Sequence, residues 1–179
     1  MTTRSFERLV LRPWQLDDKT LLSTIANNKR IWRNMTNRFP YPYEENDALE
    51  WIEFSNTQPQ DQRHFAIVVD DVVVGGAGFT RMTDLLTRTA EIGYWLGESC
   101  WGRGIATAAL TKATVSAFHD FDFVRLQAGV LDWNPGSCRV LEKAGYTLEA
   151  RLKKQIYKDD AVCDQLIYAL LREEHSARD

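Results

Sequence analysis

The sequence is poor in cysteine. Its 179 residues include only Cys100, Cys138 and Cys163, which are widely spaced and odd in number. Such a set does not make a disulfide framework, so the simplest compartment for the protein is a reducing cytoplasm. Neither Cys-x-x-Cys nor His-Glu-x-x-His occurs, and the three histidines lie far apart in the chain. We therefore expect neither structural disulfides nor a metal site.

Long apolar runs and an excess of positive charge are also absent. No apolar run approaches the roughly 18 residues that a membrane span needs, and no apolar segment follows the first charges, as it would in a signal peptide. The 22 Lys and Arg residues against 25 Asp and Glu residues give a net charge of −3. We therefore expect no nucleic-acid partner and no membrane association, since both normally require a basic surface.

The apolar content is that of a folded protein. Hydrophobic residues make up 44% of the chain and aromatic residues 11%, which is too high for a disordered segment to dominate. At about 150 residues per domain, the length predicts a single domain over residues 1–179. Its charged end, residues 172–179, is expected to be a frayed tail.

Hydrophobic periodicity and turn residues predict an α/β domain of order β-α-α-β-β-β-α-β-α-β-β. One helix, which starts near Gly102, should present a small apolar stripe to a sheet. Another starts at Asn134-Pro135, where Asn caps the helix, and ends at Gly145. The predicted strands are 8–12, 64–69, 72–79, 87–96, 124–130, 147–157 and 161–171, and the first two helices are 17–28 and 44–56.

A glycine-rich segment, residues 97–107, joins a predicted strand to a helix. The first N–H groups of a helix have no internal acceptor and, with the helix dipole, form an anion site. Gly102 and Gly104 remove the Cβ atoms that would hold a phosphate away, and Arg103 adds a positive charge. The glycines alone are equally compatible with a simple turn.

Two familiar phosphate motifs do not fit this segment. No Gly-Lys-Ser/Thr follows the glycines, which excludes a P-loop. The dinucleotide fingerprint fails because its third glycine is Thr107 here, and five residues separate the strand from Gly102.

Three ordered segments resemble the GNAT family of N-acetyltransferases, and more narrowly its branch of ribosomal-protein N-terminal acetyltransferases. The segments are residues 90–96 (AEIGYWL), 101–107 (WGRGIAT) and 134–146, in which Asn134 and Ser137 precede VLEKAGY. The family signature R/Q-x-x-G-x-G/A occurs as Trp101-x-x-Gly104-x-Ala106, with Trp in place of the first residue. The similarity extends over essentially the whole chain.

The resemblance implies a mixed, mostly antiparallel and strongly twisted seven-stranded sheet, with helices on both faces and a splay between the fourth and fifth strands. It implies acetyl-CoA as co-substrate, with the pantetheine arm in the splay between residues 94–96 and residues 127–131. The residues expected to bind acetyl-CoA are Tyr94, Trp95, Leu96, Trp101, Gly102, Arg103, Gly104, Ile105, Ala106, Thr107, Asn134 and Ser137.

Acetyl transfer to an amine needs a polarised carbonyl, a stabilised thiolate and a neutral amine. A main-chain N–H at Leu96 can polarise the carbonyl. Many family members carry a tyrosine that acts as the acid at the position of Leu141. Leucine cannot donate a proton, so Ser137 is the candidate to hydrogen-bond or relay a proton to the thiolate. The alternative is that the Ser137 hydroxyl only satisfies first-turn backbone groups. Cys138 is not expected to act as a nucleophile, because direct attack needs no covalent intermediate.

Glu91 is the candidate base. It lies in an otherwise apolar strand, on the same face as Gly93 and Trp95, and can accept the amine proton through water. The alternative is an ordinary surface carboxylate or one held in a salt bridge.

The acceptor cleft is expected to carry an aromatic wall, which suits a peptide N-terminus or a modest amine. The leading hypothesis is therefore an acetyl-CoA-dependent N-acetyltransferase acting on a protein N-terminus, as a monomer or homodimer. The alternatives are a small amine, amino acid or antibiotic as acceptor, or a non-catalytic acyl-CoA-binding module. The residues expected to line the cleft are Trp32, Arg33, Phe39, Tyr41, Tyr43, Tyr157, Lys158, Asp159 and Asp160.

Overall fold

The computed structural model describes residues 6–57 and 61–177, which contain a seven-stranded sheet of order β1-β2-β3-β4-β5-β7-β6. All neighbouring strands are antiparallel except β4 and β5. The predicted mixed α/β fold is therefore confirmed. The strands are β1 (Leu9–Pro13), β2 (Gln62–Val69), β3 (Val72–Arg81), β4 (Thr89–Leu96), β5 (Arg125–Leu131), β6 (Thr147–Lys158) and β7 (Ala161–Leu171).

Helices cover both faces of this sheet, and two of them differ from the sequence prediction. The helix α2 forms in a stretch predicted as loop, because the Asn28 side chain accepts the Arg30 N–H and caps it. The helix α6 forms where a frayed tail was predicted, while residues 178–179 lie outside the described residues. The helices are α1 (Lys19–Ala26), α2 (Lys29–Trp32), α3 (Glu45–Asn56), α4 (Ile105–Asp120), α5 (Pro135–Lys143) and α6 (Arg172–Ser176).

Arg172 explains why the tail is ordered at its start. Its guanidinium donates to the carbonyl oxygens of Phe118, Phe121 and Phe123 at 2.5–2.7 Å. These carbonyls lie at the end of α4 and in the segment after it, so the first residue of α6 is bound to the body of the domain. A charged composition alone does not reveal such a bond.

The predicted small apolar stripe of α4 lies flat on one face of the sheet. Every member of the stripe listed below is fully buried, and small side chains let the helix approach the strands closely. On the opposite face α1 and α3 cover a second apolar cluster around Trp14 and Ile52. The buried stripe residues are Ile105, Ala109, Leu110, Ala113 and Ala117. Ala106, which the predicted stripe also includes, is only partly buried.

The splay between β4 and β5 is the feature of the sheet that positions the site. The two strands pair only from Thr89 opposite Arg125 to Glu91 opposite Gln127. Beyond that point β4 stays paired with β3 as far as Leu96, and β5 stays paired with β7 as far as Leu131. A wedge-shaped gap therefore opens between the later halves of β4 and β5, as the resemblance implied.

Asp18 supports the entry to α1 through a buried ion pair. The sequence suggests an N-cap role for Asp17 or Asp18. The Asp18 carboxylate instead accepts hydrogen bonds from Arg12 Nη1 and Nη2, at 2.7 and 2.8 Å, and from the Gln15 N–H. Burial raises the pKa of this carboxyl, but the hydrogen bonds from Arg12 and Gln15 outweigh it and leave the pKa lowered. The pair therefore stabilises the fold above the unfolded pKa of about 3.9.

We expect Asp18→Asn to lower the free energy of unfolding by about 2–4 kcal/mol, because it leaves a half-buried guanidinium without its partner. The wild-type advantage should begin to fall as the pH drops below about 4, where the carboxyl of the unfolded chain becomes protonated, and should be lost as the pH falls through the lowered pKa of Asp18 in the folded protein. Urea unfolding at pH 7 and pH 3 measures both effects. Asp17→Asn, at the exposed neighbouring position, is the control, and an equal loss there would contradict the assignment.

Candidate active site

The turn between β4 and α4 forms an open cradle of main-chain N–H groups. Gly102 and Gly104 both have left-handed backbone angles, with φ of +73° and +78°. A Cβ added at either glycine would meet nothing within 4 Å, so the space in front of the turn is open. The first bond of the helix runs from the Ala108 N–H to the Gly104 oxygen. The N–H groups of residues 105–107 therefore have no acceptor within the helix.

Arg103 adds an unused donor to this cradle. Its Nε atom is buried and has no hydrogen-bond partner among the described residues. Buried donors without an acceptor are rare in proteins and indicate a missing ligand or water. The orphaned donor, the open space and the free N–H groups together fit a pyrophosphate group.

Trp101 connects the cradle to the sheet and to the α1–α2 corner. Its indole Nε1 donates to the Leu96 oxygen at 2.9 Å. The Arg30 guanidinium lies over its ring, 5.5 Å from the centroid, and forms an ion pair with Glu98. The Asn28 amide donates to the same carboxylate at 2.8 Å. Trp101, the residue that departs from the usual family signature, therefore holds the turn against the end of β4 and the α1–α2 corner.

The last residues of β4 direct main-chain groups into the gap. The Gly97 N–H bonds to the Val74 oxygen on the β3 side at 2.8 Å. Because amide directions alternate along a strand, the N–H and carbonyl of Leu96 point to the other side, toward β5. The carbonyl is used by Trp101, and the Leu96 N–H faces the gap. Its position is that of a donor for a thioester carbonyl.

Ser137 lies on the opposite side of the gap, at the start of α5. The Asn134 side chain accepts the Ser137 N–H at 3.2 Å, so Asn134 is the predicted N-cap. The Ser137 hydroxyl lies 2.8 Å from the phenol oxygen of Tyr94 on β4. It is therefore engaged across the gap. Leu141, by contrast, is fully buried in the core.

Glu91 lies where β4 and β5 begin to separate. It is exposed and shares a face with Gly93 and Trp95, as the strand alternation predicts. A Cβ at Gly93 would meet nothing within 4 Å, so a slot remains between the Glu91 and Trp95 side chains. The Trp95 ring borders this slot and is held edge-on by Phe39 at 5.5 Å. The arrangement leaves room for a narrow acceptor beside a carboxylate.

The hairpin between β6 and β7 is fixed to α2 at the border of the acceptor side. Lys158 is 4% exposed, its Nζ lies 3.8 Å from the Trp32 ring centroid, and it donates to the Asn37 side chain at 3.1 Å. Burial lowers the pKa of this lysine. Asp159 forms ion pairs with Lys29 at 3.2 Å and with Arg33 at 3.7 Å. These contacts hold the two segments together as one wall.

The other predicted cleft residues differ in how exposed they are. Tyr41 and Tyr157 are 46% and 66% exposed and are available to a ligand. Tyr43 is buried in the core beneath α3, so its expected place in the cleft wall is wrong. Asp160 accepts from the Tyr157 hydroxyl at the hairpin tip.

One residue beside the site, Trp133, carries no clear sequence signal, and the contact between Tyr94 and Ser137 was not predicted. Trp133, next to the helix cap, lies under the Arg33 guanidinium at 4.7 Å and donates to Asn34. The Tyr94 side chain was expected only as part of a strand edge, yet its phenol reaches Ser137. The alternation of β4 does place Tyr94 on the α4 face, where a polar tip at a mostly apolar position is a usable signal.

Within the described ranges, no helix is long and apolar enough to cross a membrane. The same residues contain no group of three or more His, Cys, Asp or Glu side chains that could hold a metal ion. All three cysteines are free thiols.

A mixed sheet that splays beside a glycine-rich helix start, with N–H donors facing the gap, defines an acyl-CoA-dependent acyltransferase. The family model described as acetyltransferase (GNAT) domain matches residues 8–147, and the chain belongs to this family. It is an N-acetyltransferase with acetyl-CoA as donor.

Individual relatives support this assignment. The chain is 29% identical to the uncharacterized N-acetyltransferase p20 of Bacillus licheniformis, over 98% of this chain and 99% of that protein. It is 30% identical to the ribosomal-protein-serine acetyltransferase of Escherichia coli strain K12, over 84% and 85% of the two chains. The solved structure of RimJ from Mycobacterium smegmatis, in complex with CoA-disulfide, superposes with a TM-score of 0.83 at 27% identity, over 93% and 83% of the chains.

Proposed function

We propose that this enzyme transfers the acetyl group to the N-terminal α-amine of a protein or peptide, by direct attack of the amine on the thioester. Residues 1–179 act as one catalytic domain in the cytoplasm, a compartment consistent with three free cysteines. The similarity to a ribosomal-protein-serine acetyltransferase supports a protein acceptor.

The observation that carries the proposal is how few carboxylates on the acceptor side lack a cationic partner. Asp159 is neutralised by Lys29 and Arg33, and Glu98 by Arg30. Of the acceptor-side carboxylates named above, Glu91 on β4 and Asp160 at the hairpin tip form no ion pair within residues 6–57 and 61–177, and the Asp160 carboxylate already accepts the Tyr157 hydroxyl. A polyamine carries several ammonium groups and needs several unpaired carboxylates, whereas an N-terminus carries one.

The acidity of the acceptor supports the same choice. A peptide α-amine has a pKa of about 7.7–8.0, so roughly one molecule in ten is neutral near pH 7, whereas an alkylamine with a pKa near 10 has about one neutral molecule in a thousand. One carboxylate acting through water is sufficient to accept the proton of a peptide α-amine, but it is a weak base for an alkylamine. The exposed setting of Glu91 therefore matches an α-amine.

The residues of the gap supply the remaining steps. The N–H groups of residues 102–107 and the Arg103 guanidinium hold the pyrophosphate, and Asn134 fixes the start of α5. The Leu96 N–H donates to the thioester oxygen as charge develops there. Glu91 accepts the amine proton through water while the new C–N bond forms, and Ser137 donates a hydrogen bond to the departing sulfur.

An acceptor screen tests the substrate class. Peptides with free N-termini, the same peptides with blocked N-termini and an internal lysine, spermidine and single amino acids are incubated with acetyl-CoA and the enzyme. Thiol release shows turnover, and mass spectrometry locates the acetyl group. We expect acetylation at free N-termini only. Turnover confined to spermidine or amino acids would instead establish the small-amine alternative.

Glu91→Gln should lower kcat/KM by about tenfold and flatten its rise with pH, because the water that takes the amine proton loses its carboxylate. The pH profile of kcat/KM with one acceptor measures this. Thr80→Val, at the exposed position directly opposite Glu91 on β3, disturbs the same surface without removing the carboxylate and should leave the profile unchanged. Overlaying profiles for wild type and Glu91→Gln would exclude Glu91 as the base.

A further inference from the structure

A single hydrogen-bonded pair bridges the gap between β4 and α5. The Tyr94 phenol oxygen lies 2.8 Å from the Ser137 Oγ and 3.2 Å from the Ser137 main-chain oxygen. Tyr94 belongs to the strand edge that lines the gap, and Ser137 to the first turn of the helix on its other side. The pair thus borders the gap that the family resemblance assigns to the pantetheine arm.

The number of hydrogens in this pair allows two arrangements. A phenol and a hydroxyl each have one hydrogen to donate, and a main-chain oxygen only accepts. If Tyr94 donates to the main-chain oxygen, Ser137 must donate to Tyr94, and its hydrogen then points away from any ligand. If Tyr94 donates to Oγ, the Ser137 hydrogen is left for a third atom.

The distances favour the second arrangement. The 2.8 Å contact to Oγ has the usual length whichever atom donates, so it does not decide between them. The bond that the first arrangement requires, from the Tyr94 hydroxyl to the Ser137 main-chain oxygen, is 3.2 Å long, which is beyond the usual range of an O–H···O bond. Burial raises the pKa of Tyr94, so the phenol stays neutral and keeps the hydrogen that it donates. Tyr94 is therefore suited to orienting a neighbour and unsuited to giving up a proton.

We propose that Tyr94 is a positioning residue, whose phenol donates to the Ser137 Oγ and so turns the Ser137 hydrogen toward the sulfur of the leaving CoA. The inference rests on the proposed role of Ser137. As the C–N bond forms and the C–S bond breaks, the electron pair passes to sulfur, which accepts the Ser137 hydrogen bond. No proton leaves Tyr94, and the thiolate is protonated later from solvent.

Tyr146 provides a matched control. It is also a buried tyrosine of the core on the α4 face, and burial raises its pKa too. Its hydroxyl lies 2.7 Å from the Thr114 hydroxyl, and within the described residues no hydrogen bond joins it to Tyr94 or Ser137. Tyr146→Phe therefore removes a comparable buried hydrogen bond without touching the pair at the gap.

A double-mutant cycle measures whether Tyr94 acts through Ser137. We expect Tyr94→Phe to lower kcat about tenfold with the KM for acetyl-CoA within about twofold, and to cause no further loss in a Ser137→Ala background. Tyr146→Phe should leave kcat within about twofold. Equal losses from Tyr94→Phe in both backgrounds would overturn the proposal, and so would an unchanged kcat.

A second measurement needs no acceptor, so it separates this inference from the identity of the substrate. The thiol of bound CoA is titrated by its ultraviolet thiolate absorbance, as the difference between protein with and without CoA. We expect the pKa of the bound thiol to be lowest in wild type, higher in Tyr94→Phe and highest in Ser137→Ala, because Tyr94→Phe leaves the Ser137 hydroxyl in place but no longer orients it. A shift in Ser137→Ala alone would overturn the role of Tyr94. This titration still decides the point if no N-terminal peptide is acetylated.

Discussion

Gly104→Asp is expected to abolish acetyl-CoA binding while leaving the protein folded. The new side chain projects into the open space in front of the cradle, where a Cβ meets nothing within 4 Å. Its carboxylate would then face the pyrophosphate. Two like charges about 4 Å apart repel by about 4 kcal/mol at an effective dielectric constant near 20, or about a thousandfold in Kd. Calorimetric titration with CoA measures the loss.

Gly104→Asn separates charge from backbone strain in this experiment. Asn and Asp have nearly the same shape, and both tolerate left-handed angles such as the φ of +78° at this position. We expect the Asn variant to retain most of the affinity and the Asp variant to lose it, with equal melting temperatures. Equal CoA affinities for the two variants would show that the pyrophosphate lies elsewhere.

The fold was largely predictable because local signals and burial agree along most of the chain. The Asp70-Asp71 pair marks the β2–β3 hairpin, and both residues adopt the left-handed angles of a tight turn, with φ of 49° and 65°. The stripe from Ile105 to Ala117 has the spacing of a helix on a sheet, and it is buried. The position of β7 between β5 and β6 depends on long-range pairing, and neither the local patterns nor the family resemblance predicted it.

The parts that the sequence did not predict depend on contacts between distant residues. Helix α2 is only four residues long, and its cap at Asn28 is also bound to Glu98 through space. A segment of four residues is too short to show a helical periodicity in its sequence. Asp18 resembles a helix cap in sequence, but its partner Arg12 lies on the preceding strand. Side chains of this kind take whichever partner the tertiary structure brings near.

The candidate site shows the same division. Its backbone elements, the glycine turn and the capped start of α5, follow from residue types whose conformational preferences are local. The contacts of side chains across the gap do not, since the separation between β4 and α5 depends on the whole sheet. Tyr94 and Ser137 are 43 residues apart in sequence, and their contact became visible only in three dimensions.

Ser137→Ala is expected to lower kcat by about a hundredfold with little change in CoA affinity, the loss typical of removing one positioned hydrogen-bond donor to a developing negative charge. The substitution leaves the main-chain N–H that Asn134 accepts, so α5 should still begin at the same residue. The hydroxyl forms its hydrogen bond with Tyr94 and not with the first turn, which argues against a purely structural role. Single-turnover kinetics and calorimetry with CoA separate the two effects.

Cys138→Ala is the control for this prediction, because it removes a thiol from the same turn. Cys138 is a free, half-buried cysteine, and direct attack by the amine requires no acetylated thiol. We expect its kcat to stay within about twofold of wild type. A large loss in Cys138→Ala, together with a loss below threefold in Ser137→Ala, would exchange the two assignments, because the reaction would then depend on the thiol and the hydroxyl would be only a contact of the helix start.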